Sequence, residues 1–157
     1  MTRINVIDPT VLTDQHLMAE YRELPMVMGS LRRSLKSKNG LHKIPDRYTL
    51  NAGHVKFFYP LGKFLERRYD ALVQELTVRG YSIDPLSRSV DFAVFYDNGL
   101  YSDWSPDVQS LQVNVDRVRQ RILQKPDWYR YHGKKITTLP DCDRLMNPCV
   151  LWTGTSI

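Results

Sequence analysis

Apolar positions recur between residues 14 and 36 at steps of four and three: Leu17, Tyr21, Leu24, Met28, Leu31 and Leu35. That spacing lays one apolar stripe along an α-helix. His16, Glu20 and Glu23 form a second line on the less apolar side, with Arg22 beside Glu23. Two carboxylates, an imidazole and a guanidinium can therefore project from one half-buried helix. Thr13 or Asp14 can cap its start by accepting from a first-turn amide. Pro25 lies inside the pattern and removes a backbone donor, which predicts a kink. Lys36, Lys38, Asn39 and Gly40 end the helix, with cations near its negative pole and a glycine able to take positive φ.

Two more helices follow from the same periodicity. Leu61, Leu65, Tyr69, Leu72 and Leu76 mark one from about Phe57 or Pro60 to Arg79, stopped by Gly80. Val108, Leu111, Val115, Val118 and Ile122 mark another, opened by Ser105-Pro106 and closed before Pro126. Asn114, Arg117 and Arg121 lie off that last seam, about one turn apart. Residues 44–56 read as a loop, and 81–104 as a long connection in which Val90 to Val94 could form a short strand. The expected fold class is all-α: one compact domain of three main helices with long irregular connections.

Composition narrows the class. A chain of 157 residues with 42% hydrophobic content suits one domain and is far from a disordered composition. No apolar run approaches a membrane span, and the start Met1-Thr2-Arg3-Ile4-Asn5 has no secretory apolar core. The two cysteines, Cys142 and Cys149, both fall in the tail, so no disulfide framework supports the body and a cytoplasmic setting is expected. They are also too far apart for a tight zinc-ligand pair, and no metal site is expected. A formal net charge of +5 favours a polyanionic partner. The densest basic patch of the first half comprises Arg32, Arg33, Lys36, Lys38 and Lys43. Near the end, Trp128-Tyr129-Arg130-Tyr131-His132-Gly133-Lys134-Lys135 interleaves rings that can stack on bases with cations that can meet phosphates.

Four stretches together resemble one family: Thr2-Arg3-Ile4-Asn5, Asp14 to Pro25 (DQHLMAEYRELP), Gly53-His54-Val55 with Phe57-Phe58-Tyr59, and Trp128 to Lys134 (WYRYHGK). They resemble, in order and spacing, the phage-type pyrimidine dimer DNA glycosylases, the ultraviolet-repair enzymes called endonuclease V. The resemblance covers roughly residues 1–135, loosely over 81–104. Residues 136–157 are left as a C-terminal extension without assigned function. The family implies a bifunctional reaction at cyclobutane pyrimidine dimers in double-stranded DNA. The N-glycosidic bond is cleaved, and the abasic site is then nicked by β-elimination. No metal or organic cofactor is implied, and a monomer in a bacterial or phage-infected cytoplasm is expected.

On that resemblance Thr2, freed of Met1, is the nucleophile through its α-amine. This amine ionises at about 7.7–8.0 in free peptides, well below lysine, and nearby Arg3 and Arg22 would lower it further. Glu23 is the catalytic carboxylate, able to stabilise positive charge on the sugar and to move protons. Glu20, one turn earlier, lies outside the family's catalytic role. Arg3, Gln15, His16, Arg22, Arg117, Arg121, Trp128, Tyr129 and Arg130 are the expected DNA-binding residues; for His16, support of the helix terminus and direct DNA contact stay open. Met26 departs from the pattern, standing where the family usually has a basic residue. Two alternatives also stay open: the same chemistry on other lesions, and a non-catalytic DNA-binding module.

Overall fold

The structure is a computed structural model and describes residues 4–38, 40–83, 90–136 and 152. The expected Thr2, Arg3, Asn39, Cys142 and Cys149 features lie outside the described residues. The described residues are all-α apart from one two-stranded hairpin. The helices are α1 (Asp14–Glu23), α2 (Met26–Lys36), α3 (His54–Phe57), α4 (Gly62–Val78), α5 (Ala93–Tyr96) and α6 (Val108–Gln124). Strands β1 (Arg130–Tyr131) and β2 (Lys134–Lys135) pair antiparallel. Among the described residues no helix is long and apolar enough to cross a membrane.

The stripe read from the first helical pattern is the core face: Leu17, Tyr21, Leu24, Met28 and Leu31 are buried, and Leu35 is half-buried. The kink expected at Pro25 divides the helix into α1 and α2. Leu24 and Pro25 keep near-helical dihedrals, and Val27 N–H reaches back only to Leu24 O, so the chain bends without leaving the core. Thr13 caps α1 by accepting from His16 N–H. In α4, Leu65, Tyr69, Leu72 and Leu76 are buried.

Three local expectations change. The second helix is interrupted at Phe58–Leu61, because the chain there pairs with another segment. Gly62 N–H donates to Leu100 O, and Ser102 N–H donates to Pro60 O. The strand considered at Val90 to Val94 is absent; residues 93–96 form the short helix α5, with the Asp91 carboxylate accepting from Ala93 N–H ahead of it. α6 opens at Val108 with Asp107 as its cap, not at Ser105-Pro106, since the Asp107 carboxylate takes the Ser110 amide at 2.7 Å. Val108 is accordingly exposed on the first turn, while the rest of its seam is buried.

Gly62 marks where α4 crosses α5. A Cβ there would stand 2.5 Å from Phe95 Cβ, so only glycine permits the approach.

Candidate functional site

Ile4 to Ile7 thread through the core as an irregular segment, with Ile4, Val6 and Ile7 fully buried. Buried backbone groups need partners, and here side chains from four helices and from Tyr48, with one main-chain amide, supply them. Ile4 N–H donates to His54 Nε2 at 2.8 Å, and Tyr48 Oη–H donates to Ile4 O at 2.8 Å. Asn5 N–H donates to Glu20 Oε1 and Val6 N–H to Asn114 Oδ1. Arg68 Nη1 reaches Ile7 O, and Trp152 N–H donates to Val6 O. Burial pushes the Tyr48 phenol well above its usual range, with the Glu20 charge adding to the effect, so it stays a donor.

The centre of this arrangement is the ion pair between Glu20 and Arg68, whose side chains are both 0% exposed. Arg68 meets Glu20 through Nε at 2.8 Å and Nη2 at 2.9 Å. Asn5 Nδ2 fills the remaining site on Oε2 at 2.7 Å, and Asn114 Nδ2 donates to Asn5 Oδ1. Such fully satisfied geometry is what a buried pair requires. Trp152 lies against the network, with its ring centroid 5.1 Å from Arg68 Cζ and in edge contact with Phe64. The extension beyond residue 135 therefore returns to the core at this tryptophan.

A small cleft opens beside the network. Asn5, His16, Glu23, Asn114, Arg117 and Arg121 are among its lining residues. One helical turn turns Glu20 inward and leaves Glu23 partly exposed at the cleft. Arg117 and Arg121 come from α6, also one turn apart and partly exposed. A carboxylate and two guanidiniums thus face one opening, a layout suited to an anionic substrate on which positive charge develops.

The aromatic-basic segment divides by role. Both ends of the Gln15 amide grip its backbone, Nε2 donating to Trp128 O at 3.0 Å and Oε1 accepting from Arg130 N–H at 2.8 Å. His16 stacks on Tyr129 with centroids 4.6 Å apart and planes 4° apart, while its Nδ1 lies 2.7 Å from Thr13 Oγ1. Arg79 and Asp14 dock the hairpin: Asp14 accepts from His132 and Gly133 amides, and the Arg79 guanidinium lies over Tyr131. Tyr129 is buried by these contacts, whereas Trp128 and Arg130 are exposed. Arg22 and Met26 are exposed and do not line the cleft. Thr2 and Arg3 lie outside the described residues. Among the described residues, no group of three or more His, Cys, Asp or Glu side chains could hold a metal.

Sequence reasoning missed the buried polar set of Asn5, Glu20, His54, Arg68 and Asn114. A signal existed: Glu20 falls three after Leu17 and four before Leu24, Arg68 three after Leu65 and four before Leu72, and Asn114 three after Leu111 and four before Val118. Each has an apolar residue three before and four after it, so Glu20 and Asn114, expected off the apolar seams, face the core with Arg68 and must be paired there.

A family model described as pyrimidine dimer DNA glycosylase matches residues 1–89. The match spans more than half of the 157 residues and takes in the threaded segment, Glu20 and Glu23 of α1, His54 and Arg68. The chain belongs to the pyrimidine dimer DNA glycosylase family, whose members are DNA repair enzymes acting at ultraviolet-damaged sites.

Proposed function

We propose that this glycosylase works through the α-amine of Thr2, exposed by loss of Met1, with Glu23 as its carboxylate, and that it also nicks the resulting abasic site. The observation that carries the reading is the anchored segment beside the cleft. Ile4 is held at both of its peptide groups, and Asn5 lines the same cleft as Glu23. Two residues of extended chain span at most about 7 Å. The cleft wall begins one residue from Ile4, at Asn5, so only that short reach is needed to bring a terminal amine to it.

The neutral amine attacks C1′ of the damaged nucleotide. The N–C1′ bond forms as the glycosidic bond breaks, and the bond pair leaves with the base, which takes up a proton. The amine then loses a proton and the sugar ring opens, with O4′ protonated, to give an iminium. Glu23 stabilises the positive charge on the sugar and relays these protons. Loss of the C2′ proton feeds its bond pair toward the iminium. The 3′ phosphate leaves with the C3′–O pair in an overall β-elimination.

Arg117 and Arg121 in the cleft, with Arg3 and Arg22, serve as phosphate contacts, since the guanidinium fork donates two hydrogen bonds to one anion. Trp128 and Arg130 meet the DNA from the exposed edge of the hairpin segment. Gln15, His16 and Tyr129 hold that edge in register through the contacts they make with it. Residues 1–135 form the catalytic body and 136–157 an extension, and the enzyme acts as a monomer on duplex DNA in the cytoplasm.

The test is borohydride trapping on dimer-containing and abasic duplexes, followed by mass spectrometry of the cross-linked peptide. The expected adduct lies on Thr2, and Glu23→Gln is expected to lose turnover by at least about 100-fold while keeping DNA affinity. A mature chain that retains Met1, or an adduct on another residue, refutes the amine assignment. Normal dimer cleavage by Glu23→Gln refutes the role of the carboxylate.

A further inference from the structure

We propose that His54 is a positioning residue for the N-terminal nucleophile, acting as a neutral imidazole whose Nε2 lone pair seats the Ile4 amide; this rests on the reading of the Thr2 amine given above. His54 is buried, 2% exposed, and is not among the residues lining the cleft. Its two ring nitrogens are nevertheless both engaged. Nδ1 lies 2.5 Å from Thr49 O, and Nε2 lies 2.8 Å from Ile4 N. A carbonyl oxygen can only accept and a backbone amide can only donate. The single protonation state that satisfies both contacts carries its proton on Nδ1 and leaves Nε2 bare. Either the other tautomer or the imidazolium would set two donors face to face at Ile4.

The ring is held rigidly in this role. Tyr48 and Phe58 meet it edge-on, with centroids at 5.6 Å and 5.3 Å. The turn that launches α3 passes through Gly53 at φ 96°, where a Cβ would come within 2.7 Å of Pro45 Cγ. Tyr48 takes the Ile4 carbonyl from the other side, so one wall fixes both peptide groups of Ile4. The direction in which the chain leaves Ile4 toward Thr2 is set there. A misplacement of about 1 Å can cost about 100-fold in rate, so a residue that fixes this exit acts on the chemical step.

Three variants and one spectrum test the proposal. Glutamine places its amide oxygen near the position of Nε2 and can accept from Ile4; asparagine reaches only as far as Nδ1. The expected result is that His54→Gln keeps its single-turnover trapping rate within about tenfold, while His54→Asn loses about 100-fold with unchanged affinity for abasic duplex. Tyr48→Phe, which keeps the ring and drops the hydroxyl, is expected to slow trapping in the same way. Equal rates in the asparagine, glutamine and wild-type proteins overturn the proposal. So does a loss that merely follows the folded fraction or the affinity. Nitrogen-15 spectra of wild-type histidine at neutral pH should show Nδ1 protonated and Nε2 bare; a proton on Nε2 overturns it without any variant. Failure of the amine reading is recognised separately, because the wild type would then give no adduct at Thr2.

Discussion

Glu20 and Glu23 are the same residue type one helical turn apart, and the structure predicts opposite consequences for removing their charges. Glu20 receives four donors on its two oxygens, from Asn5 N, Asn5 Nδ2, Arg68 Nε and Arg68 Nη2. In Glu20→Gln one oxygen becomes an NH2 group that must face these donors. The Arg68 guanidinium, 0% exposed, then keeps its charge without a counterion. Removing one partner of such a pair costs about 3–5 kcal/mol, against a total stability of about 5–15 kcal/mol for a domain. With a urea slope of about 2 kcal/mol per molar, the unfolding midpoint should fall by about 2 M at unchanged slope. Glu23 is partly exposed at the cleft, and Glu23→Gln should shift stability by no more than about 0.5 kcal/mol. The assay is urea denaturation of both variants beside single-turnover cleavage of dimer DNA. Glu20→Gln should unfold early, with the surviving folded fraction still carrying its cleft carboxylate; Glu23→Gln should be stable and inactive. A Glu20→Gln protein within about 1 kcal/mol of wild type would refute the dry, fully engaged ion pair described here.

Other substitutions probe how the site is supported. Gly62→Ala drives a methyl into Phe95, so about 1–3 kcal/mol of destabilisation is expected in the same denaturation assay, where a helical alanine would otherwise help. Trp152→Ala should cost about 3–5 kcal/mol if its packing on Phe64 and Arg68 behaves as core, and a loss under about 1 kcal/mol would show that the tail adds nothing to the body. Asp107→Ala removes the cap of α6 and should cost about 1 kcal/mol at neutral pH, whereas Asp107→Asn should be nearly neutral. The Ser110 backbone amide, followed by its hydroxyl, lowers the Asp107 carboxyl below its usual value. A depressed folded value means that this stabilisation is present above the unfolded value of about 3.9 and is lost as pH falls through the folded one. The gap between wild type and Asp107→Ala should therefore narrow under strong acid, and a gap that widens on acidification contradicts the cap.

Helical periodicity carried far in this chain because each stripe needs only one neighbour to bury it. Leu17, Tyr21, Leu24, Met28 and Leu31 could be placed in the core without knowing what covers them. Glu23, Arg117 and Arg121 could be nominated as candidates because resemblance supplied the roles, and the fold brings all three to one cleft. What spacing could not deliver is pairing across long separations. Asn5 and Asn114 lie 109 residues apart and Glu20 and Arg68 lie 48 apart, and no local pattern states which buried polar group answers which. The same limit hid the role of Gln15, whose partners on residues 128 and 130 exist only after the hairpin docks on α1. It also explains why the start of the chain reads as an ordinary loose end. Residues 4–7 have no regular structure of their own, and their order comes from side chains on residues 20, 48, 54, 68 and 114. A threaded segment of this kind suits the proposed N-terminal nucleophile, because it gives the chain a rigid base two residues from Thr2. A regular strand or helix at the same place would have spent its amides on its own ladder. Here the polar core holds residues 4–7 still, at the point where the proposed nucleophilic arm begins.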